Sequence, residues 1–162
     1  MPRTAHRRGA TRMDPTAARL WWLARTSASS PMLVLADFQA TGESLVQVGT
    51  RFDVLKLPAA LGTRTLRRLR EAGCRQGPVL QGTDTGCLYI LLAPGAAADW
   101  TGAGTAVGRE DLVTLRVPIP GAVRGGRCWL TPPGPDTPLT DPAELATALA
   151  TAQAESHRAP PR

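Results

Sequence analysis

The sequence predicts an α+β fold of two layers, in which helices pack on a mixed and mostly antiparallel sheet. Short apolar runs bounded by glycine and proline indicate strands, and an amphipathic helical pattern follows one of them directly. Several strand candidates are joined by short turns, which favours antiparallel pairing. The chain has 162 residues, so we expect one domain over residues 14–156, between a disordered basic tail at 1–13 and a frayed tail at 157–162.

The first third of the chain predicts one helix followed by three strands. Asp14 and Pro15 suit the N-cap and first position of a helix, which would run through the apolar residues 17–23. Strands are expected at the next apolar runs, residues 32–38, 45–48 and 52–57.

A helix with two distinct faces is predicted over residues 58–72. Pro58 is tolerated at its start, because the missing N–H would be unpaired there, and Gly73 suits its C-cap. Gly62 would allow the helix to approach the sheet closely. The apolar face carries Leu61, Leu66, Leu69 and Ala72. The opposite face carries Arg64, Arg67, Arg68, Arg70 and Glu71.

The second half of the chain predicts four more strands and a final helix. Asp141 and Pro142 would open the helix, which continues at least through residue 152. A short helix is expected at residues 96–100 and a glycine-rich loop at 103–108. The strands are expected at residues 77–80, 87–93, 112–117 and 127–131.

The net charge is +6, and nearly all positive charge is arginine, with Lys56 as the single lysine. Arginine stays protonated and holds phosphate through two donors, so this charge permits nucleic-acid binding without requiring it. The candidate contacts are Lys56, Arg64, Arg67, Arg68, Arg70, Arg75, Arg124 and Arg127. A solvated helix face and a plain hairpin turn at Gly125-Gly126 are the alternative interpretations of the arginine groups.

The cysteines indicate neither disulfides nor zinc. Cys74, Cys87 and Cys128 are odd in number and widely spaced, as expected of thiols in a reducing cytoplasm. No apolar segment approaches the roughly 20 residues that a membrane-spanning helix needs. We therefore expect a cytoplasmic protein without a membrane partner.

Four segments together resemble a known family. Residues 51–62, 77–79, 88–95 and 128–133, in this order, resemble the small actinobacterial members of the bifunctional DNA primase/polymerase N-terminal domain family. The resemblance covers about residues 45–150. It implies the archaeo-eukaryotic primase fold and primer synthesis or DNA extension with two metal ions, Mg²⁺ or Mn²⁺.

The chain departs from that family at the residues that would carry catalysis. Asp53 lies on the strand where the family has its acidic residues, but Lys56 stands where the pattern favours aspartate. Asp37 is the other candidate catalytic acid. The resemblance also implies a histidine on a later strand, but the only histidines, His6 and His157, lie in the predicted tails. We expect a catalytically degenerate domain with a nucleic-acid-binding or regulatory role and neither metal nor cofactor.

Two alternatives stay open. An active metal-dependent nucleotidyltransferase would use Asp37, Asp53 and a later acid, with Glu110 or Asp111 as candidates. A protein-interaction module would use Trp21 and Trp22, because neighbouring tryptophans on a helix cannot both face the core.

Overall fold

A five-stranded antiparallel sheet forms the centre of the computed structural model, which describes residues 13–26 and 30–158. Its strand order is β5-β2-β4-β3-β7, and β1 and β6 form a separate two-stranded ribbon. The strands are β1 (Glu43–Gln47), β2 (Asp53–Pro58), β3 (Val79–Gly82), β4 (Cys87–Leu92), β5 (Thr105–Val107), β6 (Thr114–Pro118) and β7 (Arg127–Thr131). The helices are α1 (Pro15–Ala24), α2 (Pro31–Thr41), α3 (Ala59–Glu71) and α4 (Pro142–Arg158). These elements confirm the α+β fold class.

One face of the sheet is covered by α3 and α4. Leu55 and Leu57 of β2 and Ile90 of β4 are buried there against Leu69 of α3 and Leu145 of α4. The close approach of α3 depends on Gly62, because a Cβ at that position would lie 2.8 Å from Leu88 Cδ1. The strand-helix pair predicted from the sequence is therefore confirmed, including the packing role of its glycine.

The other face of the sheet carries a second core. Val54 and Leu91 point to this side, since successive side chains of a strand alternate. They pack with residues of α1, α2 and the β1-β6 ribbon, among them Leu23, Phe38 and Val117. Helices thus cover both faces of the sheet, and the predicted two-layer arrangement omitted this layer.

The strand predicted at residues 32–38 is wrong, because this segment forms α2. Pro31 occupies the first turn, and Gly42 ends the helix at φ 77° with its N–H donating to the Phe38 carbonyl. Val34 and Phe38, four residues apart, are buried on one side. The run is apolar nearly all round, so its pattern favoured neither a strand nor a helix.

Three smaller predictions also need correction. The helix expected at residues 96–100 is a series of turns, and the loop expected at 103–108 contains β5. α4 continues to Arg158, so residues 157–158 are helical rather than frayed. Residues 1–12 and 159–162 of the predicted tails lie outside the described residues.

No helix in the described part of the chain is long and apolar enough to cross a bilayer.

Candidate functional site

A cavity of about 630 Å³ opens where β2 begins. Its walls come from three loops that are distant in sequence: residues 49–50, residues 94–98 and the 3-10 helix Arg109–Asp111. Asp53, the first residue of β2, lies at its base. The loops around the sheet edge thus place a predicted site residue in a concave position.

Asp53 is buried, with 1% of its surface exposed. One carboxylate oxygen, Oδ2, accepts a hydrogen bond from the Ala97 N–H at 2.8 Å. The other, Oδ1, is buried without a hydrogen-bond partner in the described residues. Gly108 packs beside the carboxylate, where a Cβ would lie 3.2 Å from Oδ2. A buried oxygen without a partner destabilises a fold by roughly 1–3 kcal/mol. The stability of the fold therefore does not explain why Oδ1 of Asp53 is buried in this way.

The cavity rim adds charged side chains of both signs. Arg109, Glu110 and Asp111 line it and are exposed. Asp111 is engaged locally, because its Oδ2 accepts from the Gly108 N–H at 2.7 Å. Within residues 13–26 and 30–158, no three Asp, Glu, His or Cys side chains are grouped closely enough to hold a metal ion. Asp53, Glu110 and Asp111 therefore line one cavity without forming a cluster of three close metal ligands.

Asp37 is not part of this cavity. It lies on α2, and its Oδ2 accepts a hydrogen bond from Ser44 Oγ at 3.0 Å. The two predicted catalytic aspartates therefore do not line a common cavity. Sequence reasoning singled out Asp53 but missed Gly49 and Gly108, whose small size shapes the cavity.

The arginines of α3 divide into a structural one and a group that faces solvent. Arg68 pairs with Glu71 on its own helix and with Glu155 on α4. The hydrogen bond with Glu155, aided by the charges of both glutamates, raises the pKa of Arg68. Arg68 therefore links α3 to α4 across 87 residues of chain.

Three of the remaining arginines are exposed, whereas the Nε of Arg64 is buried without a hydrogen-bond partner in the described residues. Arg67 and Arg70 on α3 and Arg75 beyond its end are exposed, and Arg64 is half-buried. Arg67 makes a long ion pair with Glu71, 3.8 Å from Nε to Oε1. Arg70 donates from Nε to the Leu66 carbonyl at 3.3 Å. We call Arg64, Arg67, Arg70 and Arg75 the α3 arginine surface.

Lys56 and Arg127 lie on the opposite side of the sheet from α3, on either side of Tyr89. Their charged groups are 5.9 Å and 5.2 Å from the centre of the Tyr89 ring. Arg127 also lies 3.5 Å from Asp84 Oδ2 and donates to the Arg116 carbonyl, and only 14% of its side chain is exposed. These contacts fix Arg127 within the fold and leave little of it for a phosphate.

Arg124 belongs to a two-residue hairpin. Its backbone exchanges hydrogen bonds with that of Arg127 at 3.0 Å and 2.8 Å. Gly125 and Gly126 form the turn with φ values of 53° and 74°, which glycine adopts readily. This geometry is that of a plain hairpin turn, with the Arg124 side chain exposed beside it.

The two neighbouring tryptophans separate as expected for a helix. Trp22 stacks on Phe52, with ring centroids 6.0 Å apart and planes inclined by 15°. Trp21 stays 38% exposed.

Asp53→Ala is expected to lower the free energy of unfolding by at most about 3 kcal/mol, because it leaves the Ala97 N–H without its acceptor but also removes the orphaned Oδ1. Asp53→Asn should lower it less, since the amide oxygen can still accept from Ala97. Urea denaturation of both variants measures the difference. Equal losses would mean that the hydrogen bond to Ala97 does not hold the loop.

No protein-family model, curated protein or solved structure matches this chain, so its resemblance to the primase/polymerase family stays a prediction.

Proposed function

We propose that this protein is a catalytically degenerate, primase/polymerase-like domain that binds the backbone of nucleic acid through the α3 arginine surface. The observation that carries the proposal is the exposure of Arg67, Arg70 and Arg75 on and beside one helix. A role in replication, by binding or by regulation, follows from the resemblance to the primase/polymerase family.

The surroundings of these arginines favour contact with phosphate. Within the described residues, no carboxylate lies within 4.0 Å of the Arg70 or Arg75 guanidinium. The Arg67-Glu71 pair is exposed and long, and pairs of this kind contribute at most about 1 kcal/mol. A phosphate can therefore replace Glu71 as the partner of Arg67 at little cost.

The link between Arg68 and Glu155 gives this surface a fixed geometry. Because Arg68 holds α3 against α4, the neighbouring arginines project from a helix that is packed on both the sheet and α4. The helix backbone is already ordered, so on meeting a charged backbone only the arginine side chains lose conformational entropy. Contacts of this kind carry no sequence information, so we expect binding to depend on salt and not on sequence.

Two observations support the proposed loss of catalysis. Asp37 does not line the cavity that holds Asp53, and Lys56 stands where the family pattern favours aspartate. The three cysteines are free thiols, which is consistent with a reducing cytoplasm as the place of action.

Fluorescence anisotropy with labelled single-stranded and duplex DNA tests the binding. Affinity should fall steeply between about 50 and 200 mM salt. Changing Arg67, Arg70 and Arg75 together to alanine should reduce the salt slope by about one for each arginine that contacts phosphate.

A charge-matched control separates a local effect from a loss of net charge. Arg51, Arg109 and Arg116 are also exposed and lie away from α3, so changing all three to alanine should leave most of the affinity. Equal losses in the two triple variants, or no binding at low salt, would contradict the proposal.

An active nucleotidyltransferase is the second candidate, and the observation that favours it is the orphaned Oδ1 of Asp53 in a cavity that Glu110 also lines. Primer extension with Mg²⁺ or Mn²⁺ and labelled nucleotides tests it. Activity that disappears in Asp53→Asn and persists in Asp37→Asn would establish this function at the cavity.

A further inference from the structure

An apolar groove lies between α1 and α2, on the side of the sheet away from α3. It has a volume of about 320 Å³. The lining side chains are Met13, Ala17, Leu20, Trp21, Leu35 and Gln39. We call this feature the α1-α2 groove. It belongs to neither the Asp53 cavity nor the α3 arginine surface.

The groove is built from matching stripes on two helices. Ala17, Leu20 and Trp21 follow the three- and four-residue spacing that places side chains on one side of α1. Leu35 and Gln39 do the same on α2, and Met32 extends their stripe by one turn. Met32 and its neighbour Leu33 are 65% and 62% exposed. An apolar groove between two helices that continues into exposed apolar side chains is typical of a docking site for a third helix.

The charges at one end of the groove select the partner. An adjoining cavity of about 170 Å³ shares Met13 and Trp21 with the groove and is lined by Arg25 and Arg51. Among the described residues, no carboxylate lines either space, and the charged side chains in their walls are Arg25 and Arg51. A partner that fills the groove therefore gains by presenting carboxylates at this end.

The chain's own N-terminal residues do not have this chemistry. Residues 1–12 contain four arginines and no acid. Their positive charge would be repelled by the positive charges of Arg25 and Arg51. A base-stacking site for nucleic acid is also less suited to the groove, because its lining in the described part of the chain is apolar except for Gln39.

We propose that the α1-α2 groove binds an amphipathic helix of a protein partner, with its apolar stripe in the groove and its carboxylates against Arg25 and Arg51. The indole of Trp21, shared by the two cavities, is the expected anchor of the interface, since large aromatic side chains dominate such contacts. This docking is independent of the proposed nucleic-acid binding by α3.

A panel of synthetic amphipathic helices, each about four turns long, tests the proposal. Their apolar stripes are Leu, Ile, Phe or Met, and their flanking positions are all Glu or all Lys. Anisotropy of the labelled peptides should show saturable binding of at least one Glu peptide. Its Lys counterpart should bind at least about tenfold more weakly, a change of roughly 1.4 kcal/mol.

Surface variants locate the binding. Trp21→Ala should weaken the Glu peptide about tenfold or more, as loss of a central aromatic anchor does. Arg25→Glu with Arg51→Glu should remove the preference for Glu over Lys peptides. The triple alanine variant of Arg67, Arg70 and Arg75 should bind the peptide as the unchanged protein does, whatever its effect on DNA.

Several outcomes would overturn the proposal. These are failure of every Glu peptide to bind, equal binding of Glu and Lys peptides, and binding that Trp21→Ala leaves unchanged. Competition by single-stranded oligothymidylate that is lost in Trp21→Ala would assign the groove to nucleic acid instead. A gain of self-association in place of peptide binding would assign it to a second copy of the chain.

Discussion

Gly49→Ala is expected to destabilise the protein more than most single substitutions that add only a methyl group. Gly49 has a φ of 91°, and its N–H donates to the Phe52 carbonyl at 2.7 Å, which closes the tight turn before β2. A Cβ at this position would overlap the backbone N and Cα of Arg109. The backbone strain of alanine at this φ should lower the free energy of unfolding by about 1–3 kcal/mol. The overlap with Arg109 should lower it by about a further 1–3 kcal/mol.

The loop that carries Arg109, Glu110 and Asp111 must move away to relieve that overlap. Gly49→Ala should therefore also enlarge the Asp53 cavity and expose the Gly108 N–H, which bonds to Asp111. Urea denaturation measures the loss of stability, and amide hydrogen exchange at residues 108–112 measures the loosening of the loop.

Gly95→Ala is a matched control for this substitution. Gly95 lines the same cavity and has the same φ of 91°, but a Cβ there would meet no atom within 4 Å. Its alanine variant should lose only the backbone strain, about 1–2 kcal/mol. Similar losses at Gly49 and Gly95 would show that Arg109 does not limit the space at Gly49.

Phe52→Ala is the second substitution with a large expected effect. Phe52 is fully buried, and its ring stacks on Trp22 of α1. Truncation of a buried phenylalanine to alanine typically lowers stability by about 3–5 kcal/mol through lost burial and a residual cavity. Because the ring joins α1 to the start of β2, the loss should appear in both elements.

Thermal and urea unfolding of three variants separates this contact from general effects. Phe52→Leu should lose less than Phe52→Ala, since it fills part of the volume. Trp21→Ala, on the same helix as Trp22 but partly exposed, should lose much less than Phe52→Ala. In a double-mutant cycle, Trp22→Ala and Phe52→Ala should couple by about 0.5–3 kcal/mol. Additive losses would show that the stacked pair contributes nothing beyond burial.

The parts of the fold that the sequence predicted are those with a clear period. α3 was predicted at residues 58–72 and spans Ala59–Glu71, because its leucines and arginines separate cleanly at the helical spacing. β2 and β4 were predicted within about one residue, since short apolar runs end there at Pro58 and Pro94. α2 was missed because it lacks such a period and is apolar on nearly every side.

The candidate site was only partly predictable for a different reason. Asp53 could be placed on its strand, but its surroundings come from Ala97, 44 residues away, and from Gly108. Arg68 was grouped with the exposed arginines, because nothing local indicates a partner on α4. The surroundings of Asp53 and the pairing of Arg68 both depend on contacts between segments that are distant in sequence. Periodicity and local motifs carry no information about such contacts.

The two cores on either side of the sheet have a consequence for how the protein can change. Val54 and Leu55 are neighbours on β2, and Ile90 and Leu91 are neighbours on β4. Leu55 and Ile90 nevertheless belong to one buried cluster, and Val54 and Leu91 belong to the other. Substitutions more than about 7–10 Å apart without shared partners add in their effects. Replacements in the α1-α2 layer should therefore be tolerated without compensating changes in the core between α3 and the sheet. The residues of the two cores can then change independently of each other during evolution.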